Sequence, residues 1–168
     1  MRTPTFFKLT FLSFLILMAS SVFATENIIA DKILVEKKAR RLTLLAKGQV
    51  IKTYKVALGR SSAGPKEREG DNKTPEGTYI IDSRNMKSNY YLALHISYPN
   101  AKDINRAREL RVSPGGDIMI HGIKEGFGWI GGCHRWLDWT KGCIAVTNNE
   151  IDEIVKLVPI GTVVEIRP

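Results

Sequence analysis

Apolar residues along most of this chain come in short runs that alternate with polar ones, the period-two pattern of half-buried strands. Residues 33–36 and 42–46 read as strands around a turn at 38–40. After a second turn at Lys47 and Gly48, residues 49–58 form a longer β-type run, with Val50, Tyr54 and Val56 supplying β-favouring side chains. The three form a meander. Further strands are expected at 78–82, 91–97, 117–121, 143–146 and 162–166. One segment breaks the rhythm. Ile151, Ile154, Val155 and Val158 recur at the i, i+3, i+4, i+7 spacing of a helix lying on a core. Thr147 and Glu150 precede it as a capping box, and Pro159 and Gly161 end it. A shorter, mostly polar helix is expected over 100–109. The pattern as a whole is mainly β (α+β), with few helices.

Two stretches lack periodicity. Residues 59–74 are rich in Gly, Ser, Lys, Glu and Asp and read as loop, with a turn-dense entry into the next strand at 70–79. Residues 122–140 make a long connection with Gly126, Gly128, Gly131, Gly132 and all three tryptophans, Trp129, Trp136 and Trp139. Unstructured connections of this length inside a compact domain are usually functional. Two readings stand side by side: a lid or substrate wall, or tryptophans that fill core beneath the loop.

The N-terminal residues depart from the rest. Arg2 and Lys8 precede an apolar run over 9–19, and Val22, Phe23 and Ala24 fit a signal-peptidase site. Residues 1–24 read as a secretory signal peptide, with a retained membrane anchor as the alternative; the run is short for a span of about 20 residues. Residues 28–168 then form one domain. The formal charge is +8; residues 1–24 hold two basic and no acidic residues, so the rest carries 25 − 2 = 23 basic against 17 acidic, or +6. That favours anionic partners such as a wall polymer. No nucleic-acid motif is present, and nucleic acid is not an expected partner of an exported chain. Export also puts Cys133 and Cys143, the chain's two cysteines, in a disulfide-permissive compartment where they could pair.

The chemistry centres on Cys143. A free thiol is only a few per cent thiolate at neutral pH and needs help to act as a nucleophile. Gly142 permits a sharp turn before it, Lys141 adds positive charge, and His121 is a candidate base. The backbone N–H groups of Lys141, Gly142 and Cys143 are candidate oxyanion donors. Trp129, Trp139, Thr140 and His95 are candidate substrate-binding residues. A rival is a zinc site assembled from His95, His121, His134 and Asp138, although only His134 and Asp138 are closely spaced. A non-catalytic wall-binding domain stapled by a Cys133–Cys143 disulfide is a third reading.

Four stretches carry a family resemblance: Gly-Asp-Asn-Lys-Thr-Pro-Glu-Gly-Thr-Tyr at 70–79, Leu-His-Ile-Ser-Tyr-Pro-Asn at 94–100, Asp-Ile-Met-Ile-His-Gly at 117–122 and Thr-Lys-Gly-Cys-Ile-Ala at 140–145. In this order they resemble the L,D-transpeptidase (YkuD-type) catalytic domain of bacterial envelopes. The resemblance implies that Cys143 is the nucleophile, that His121 is the general acid/base, and that the Gly122 carbonyl orients the imidazole. It implies a mostly β fold, a mixed sheet or sandwich with few flanking helices, in an enzyme that the signal peptide would place in the periplasm; no cofactor is expected. Its donor would be a peptidoglycan stem peptide cut after the diaminopimelate at position three, through an acyl-enzyme resolved by an amine or by water. Lys141 stands where many members have His, and Ala145 where many have Arg. The Gly-Cys-Ile-Ala-Val-Thr-Asn form resembles a subgroup that includes an enzyme releasing an outer-membrane lipoprotein from peptidoglycan, which makes an envelope lipoprotein a second candidate partner.

Overall fold

The computed structural model describes residues 28–61 and 63–168; the expected signal peptide lies outside them. The three predicted N-terminal strands form as β1 (Lys32–Glu36), β2 (Arg41–Ala46) and β3 (Gln49–Lys55), paired antiparallel in sequence. The expected run to residue 58 divides physically. Its first part stays on β2, and its last part leaves to bridge Ala57 to Ala145 and Gly59 to Thr140.

β4 (Gly77–Ser88) extends six residues beyond the expected strand and pairs with β5 (Tyr91–Ile96). The added stretch is polar and largely exposed, so it carries no hydrophobic alternation to read. Its strand state comes from pairing with β5. Helix α1 (Ala101–Glu109) follows, capped by Asn100 with Asp103 reaching back. β6 is Met119–His121, β7 is only Ile144–Ala145, α2 is Asn148–Leu157 and β8 is Val163–Arg167. The capping box of α2 forms as expected, with Thr147 accepting from the Glu150 N–H.

The sheet order is β3-β2-β1-β8-β4-β5-β6-β7, with β1/β8 and β6/β7 parallel and the other pairs antiparallel. β4 belongs to both halves: Gly77–Ile80 pairs with β8, and the rest with β5. The outer edges meet where Ala57 and Ala145 exchange both backbone hydrogen bonds, at 3.0 and 2.8 Å. Bridging the edges removes unpaired strand groups beside the site. Leu42, Leu44, Ile81, Leu94, Ile96, Ile120 and Ile144 form the inner apolar layer, and α2 closes it with Ile151, Ile154 and Val155. Among the described residues no helix is long and apolar enough to cross a membrane.

The long connection contains a 3₁₀ segment, Gly128–Trp136, kinked at Gly131. It fits neither reading of the tryptophans as a group. Trp129 and Trp136 are each 82% exposed and fill no core, whereas Trp139 is half-buried.

Candidate active site

Strands β6 and β7 set the site. Ile120 lies opposite Ile144, and His121 opposite Ala145. Period two therefore puts Met119 and His121 on one face with Ala145 and, one step before β7, Cys143. His121 and Cys143 line the same cleft, which has a volume of about 660 Å³. Alternation places His121 away from the face that Ile118 and Ile120 bury, and it does lie there. That face is nonetheless covered: His121 is only 3% exposed, beneath Tyr90 at 4.6 Å and Trp139 at 5.8 Å between ring centres.

The imidazole is held at one end. Its Nδ1 lies 2.6 Å from the Gly122 carbonyl oxygen. A carbonyl only accepts, so Nδ1 carries the hydrogen and Nε2 keeps the lone pair. Burial pushes the His121 pKa below its ordinary value, against the opposing pull of the Gly122 carbonyl. Gly122 is itself crowded: an added Cβ would lie 2.8 Å from Asn148 Oδ1 and 3.1 Å from the Tyr90 carbonyl. Asn148 Oδ1 also accepts from the Ile123 N–H at 2.8 Å, tying the chain after His121 to the start of α2.

Cys143 is half-buried and its Sγ lies 3.5 Å from the Asp117 carbonyl. Burial pushes the thiol above its usual range; the Met119 N–H and the Lys66 charge act against it, and Asp117 adds to it. Both shifts favour the neutral forms, a thiol and an uncharged imidazole. Asp117 holds φ 53° beside the nucleophile, a conformation that L side chains rarely adopt.

Thr140 builds the turn into Cys143. Its buried Oγ1 donates to the Cys143 carbonyl at 2.7 Å and accepts from the Gly142 N–H at 3.1 Å. Of the three N–H groups expected to meet an oxyanion, that of Gly142 is therefore engaged within the turn. Gly142 has φ +131°, and a Cβ there would lie 2.6 Å from the Lys73 carbonyl oxygen. The turn-dense loop thus packs directly against the nucleophile's turn. Asp71 organises that loop, accepting from Lys66 Nζ at 2.8 Å and from the N–H groups of Glu67, Arg68 and Lys73.

Of the four expected substrate-binding residues, Trp139 and Thr140 line the cleft. Trp129 and His95 do not: Trp129 projects to solvent, and His95 Nδ1 lies 2.7 Å from Asp82 Oδ1. Sequence reasoning misses Tyr90 and Asn148. Tyr90 sits in the β4–β5 turn and reaches His121 only through folding; Asn148 reads merely as part of a helix start. Cys133 and Cys143 are both free thiols, so no disulfide staples the domain. Among the described residues no three His, Cys, Asp or Glu side chains converge as a metal site, so the rival zinc set is not assembled.

A mixed eight-stranded sheet with few flanking helices is the fold of L,D-transpeptidase catalytic domains. The L,D-transpeptidase catalytic domain (YkuD) profile matches residues 30–166, and the chain belongs to that family. It is 35% identical over 128 residues to the putative L,D-transpeptidase YafK of Escherichia coli strain K12, covering 73% of this chain and 44% of that protein. Among solved structures it is similar to the helical cell shape determining protein Pgp2 of Campylobacter jejuni, at 25% identity and a TM-score of 0.64, over 82% of this chain and 47% of that one. It is also similar to Bd1075 of Bdellovibrio bacteriovorus, at 26% identity and a TM-score of 0.59, over 86% and 50%. The chain spans about half the length of these relatives.

Proposed function

We propose that the protein is a periplasmic cysteine enzyme that acts on peptidoglycan stem peptides through an acyl-enzyme on Cys143. The observation that carries this reading is the pairing, in one cleft, of Cys143 with a His121 whose Nδ1–H is committed to the Gly122 carbonyl. The free Nε2 takes the thiol proton as Sγ attacks the carbonyl of the third stem residue, the diaminopimelate. The N–H groups of Cys143 and Lys141 meet the oxyanion. The tetrahedral intermediate collapses to a thioester, and the leaving amine takes the proton back from His121. An amine or water then releases the acyl group.

Arg60, Lys66 and Lys141 line the cleft with Glu69 and Asp117, a basic balance that suits a carboxylate-bearing peptide. Family membership supports an envelope location, and residues 1–24 are assigned the export signal. The acceptor sets the biological role: a diaminopimelate amine gives a 3→3 cross-link, a protein amine gives attachment, and water gives release of a linked lipoprotein or a shortened stem. A role in cell shape is the reading that Pgp2's name suggests.

Purified protein incubated with defined muropeptides, with products weighed by mass spectrometry, tests this. Cross-linked dimers identify a transpeptidase, and shortened stems a carboxypeptidase. Loss of a linked lysine or arginine identifies a releasing hydrolase. Unchanged muropeptides with each donor and acceptor would refute the proposal.

A further inference from the structure

His134 lies outside the cleft lining and has no part in the chemistry above, yet it is the buried residue of the 3₁₀ segment Gly128–Trp136, at 9% exposure. Trp129 and Trp136 point outward, and the segment meets the body through Gly128 packed on Asn148, through the Arg135–Glu150 ion pair at the cap of α2, and through His134. The His134 ring stands edge-on to Trp139, at 82° and 6.4 Å between centres, and its Nδ1 lies 3.4 Å from the indole Nε1.

The protonation of this pair follows from donor chemistry. An indole N–H only donates, so Nδ1 of His134 presents its lone pair and Nε2 carries the hydrogen. That Nε2 is buried and meets no partner among the described residues. Protonating the ring would set Nδ1–H against the indole N–H. Burial, then the Arg135 charge, lowers the His134 pKa to about 4; Glu150 opposes them and His121 adds slightly to the lowering. His134 therefore stays a neutral acceptor at neutral pH.

Trp139 is the link to the site. Its carbonyl is held by Arg60 Nε at 3.1 Å, and the next residue, Thr140, bonds Leu58 and Arg60 through its backbone. These contacts fix the main chain leading to Cys143 but not the indole. The indole forms one wall of His121 and meets Tyr90, the other wall, at 6.0 Å. We propose that His134 is a positioning residue: by accepting the indole N–H it holds Trp139 against His121, keeping the base dry and aimed at the cleft. The proposal rests on the assignment of His121 as the base.

Three variants test it: His134→Phe keeps a ring without the acceptor, His134→Ala removes both, and His134→Asn puts an acceptor oxygen near the position of Nδ1. The readouts are steady-state turnover and the NMR titration of the His121 imidazole. His134→Phe and His134→Ala are expected to lower kcat roughly tenfold, as a small displacement of a catalytic group does. Because Trp139 also lines the cleft, KM should rise alongside, and the His121 titration is the readout that separates a positioning role from lost substrate contact. In the same variants His121 should titrate closer to its ordinary value as water reaches it, and His134→Asn should recover both properties. An unshifted His121 titration in His134→Phe, with or without lost stability, would overturn the proposal. The titration needs no substrate, so it tests the role of His134 even in a protein inactive on every wall peptide.

Discussion

Nδ1 of His121 and the carbonyl oxygen of Gly122 lie 2.6 Å apart in a buried setting, and this contact selects the tautomer in which Nε2 is the base. Burial also disfavours the charged imidazolium. The base therefore remains competent at pH values where a free histidine would be protonated. In a profile of kcat/KM against pH, the acid limb should fall below about 6.5, the ordinary histidine value. The Cys143 thiol should titrate above the ordinary cysteine range, since burial is the largest influence on it. An acid limb at or above the free-histidine value would contradict the assignment.

Gly142→Ala tests the approach of the loop to the nucleophile. The substitution puts a side chain at φ +131° and a Cβ 2.6 Å from the Lys73 carbonyl oxygen. Strain of this kind costs on the order of 1–3 kcal/mol. We expect a loss of that size in a denaturant titration, and at least roughly a tenfold loss of turnover because the Cys143 turn must shift.

Asp71→Asn removes the carboxylate that pairs Lys66 within the same loop. Both side chains are buried, at 8% and 4% exposure. Breaking such a pair from one side leaves the Lys66 charge with only the Arg68 carbonyl, at 2.9 Å, and costs about 3 kcal/mol. Equilibrium unfolding should show that loss, with slower turnover because Lys66 lines the cleft.

Stability should fall with acid in two stages. His121 and His134 both have lowered folded values, His134 at about 4. The unfolded chain therefore takes up protons first as pH drops below about 6.5, and stability declines from there toward pH 4. Asp71 acts lower. Burial alone would raise its pKa, but Lys66 and three backbone N–H groups hold it below 3.8. Its contribution is present above that value and is lost as pH falls through the folded one. Unfolding free energies at pH 7.5, about 5.5 and about 4 check the first stage; a flat profile would contradict it.

The strands are legible in the sequence wherever one face is buried, since alternation reports burial. The second half of β4 is not, because its polar residues are ordered by β5 and bury nothing. Cys143 and His121 are legible as chemistry, and their common face follows from period two. The cover over His121 is not, because Tyr90 and Trp139 arrive from a hairpin tip and a distant loop. Trp129 and Trp139 look alike in sequence. Only folding separates the one that faces solvent from the one whose indole is tied to His134.

An acyl-enzyme on Cys143 is sought most directly by rapid quenching of the protein with a tetrapeptide muropeptide, followed by intact-mass and peptide-level mass spectrometry. We expect one acyl adduct on Cys143 with loss of the terminal stem residue. The adduct and turnover should both be absent in a folded Cys143→Ala variant, with Cys133 unmodified throughout. Turnover by Cys143→Ala, or an adduct on Cys133 in its place, would contradict the assignment of Cys143 as the nucleophile.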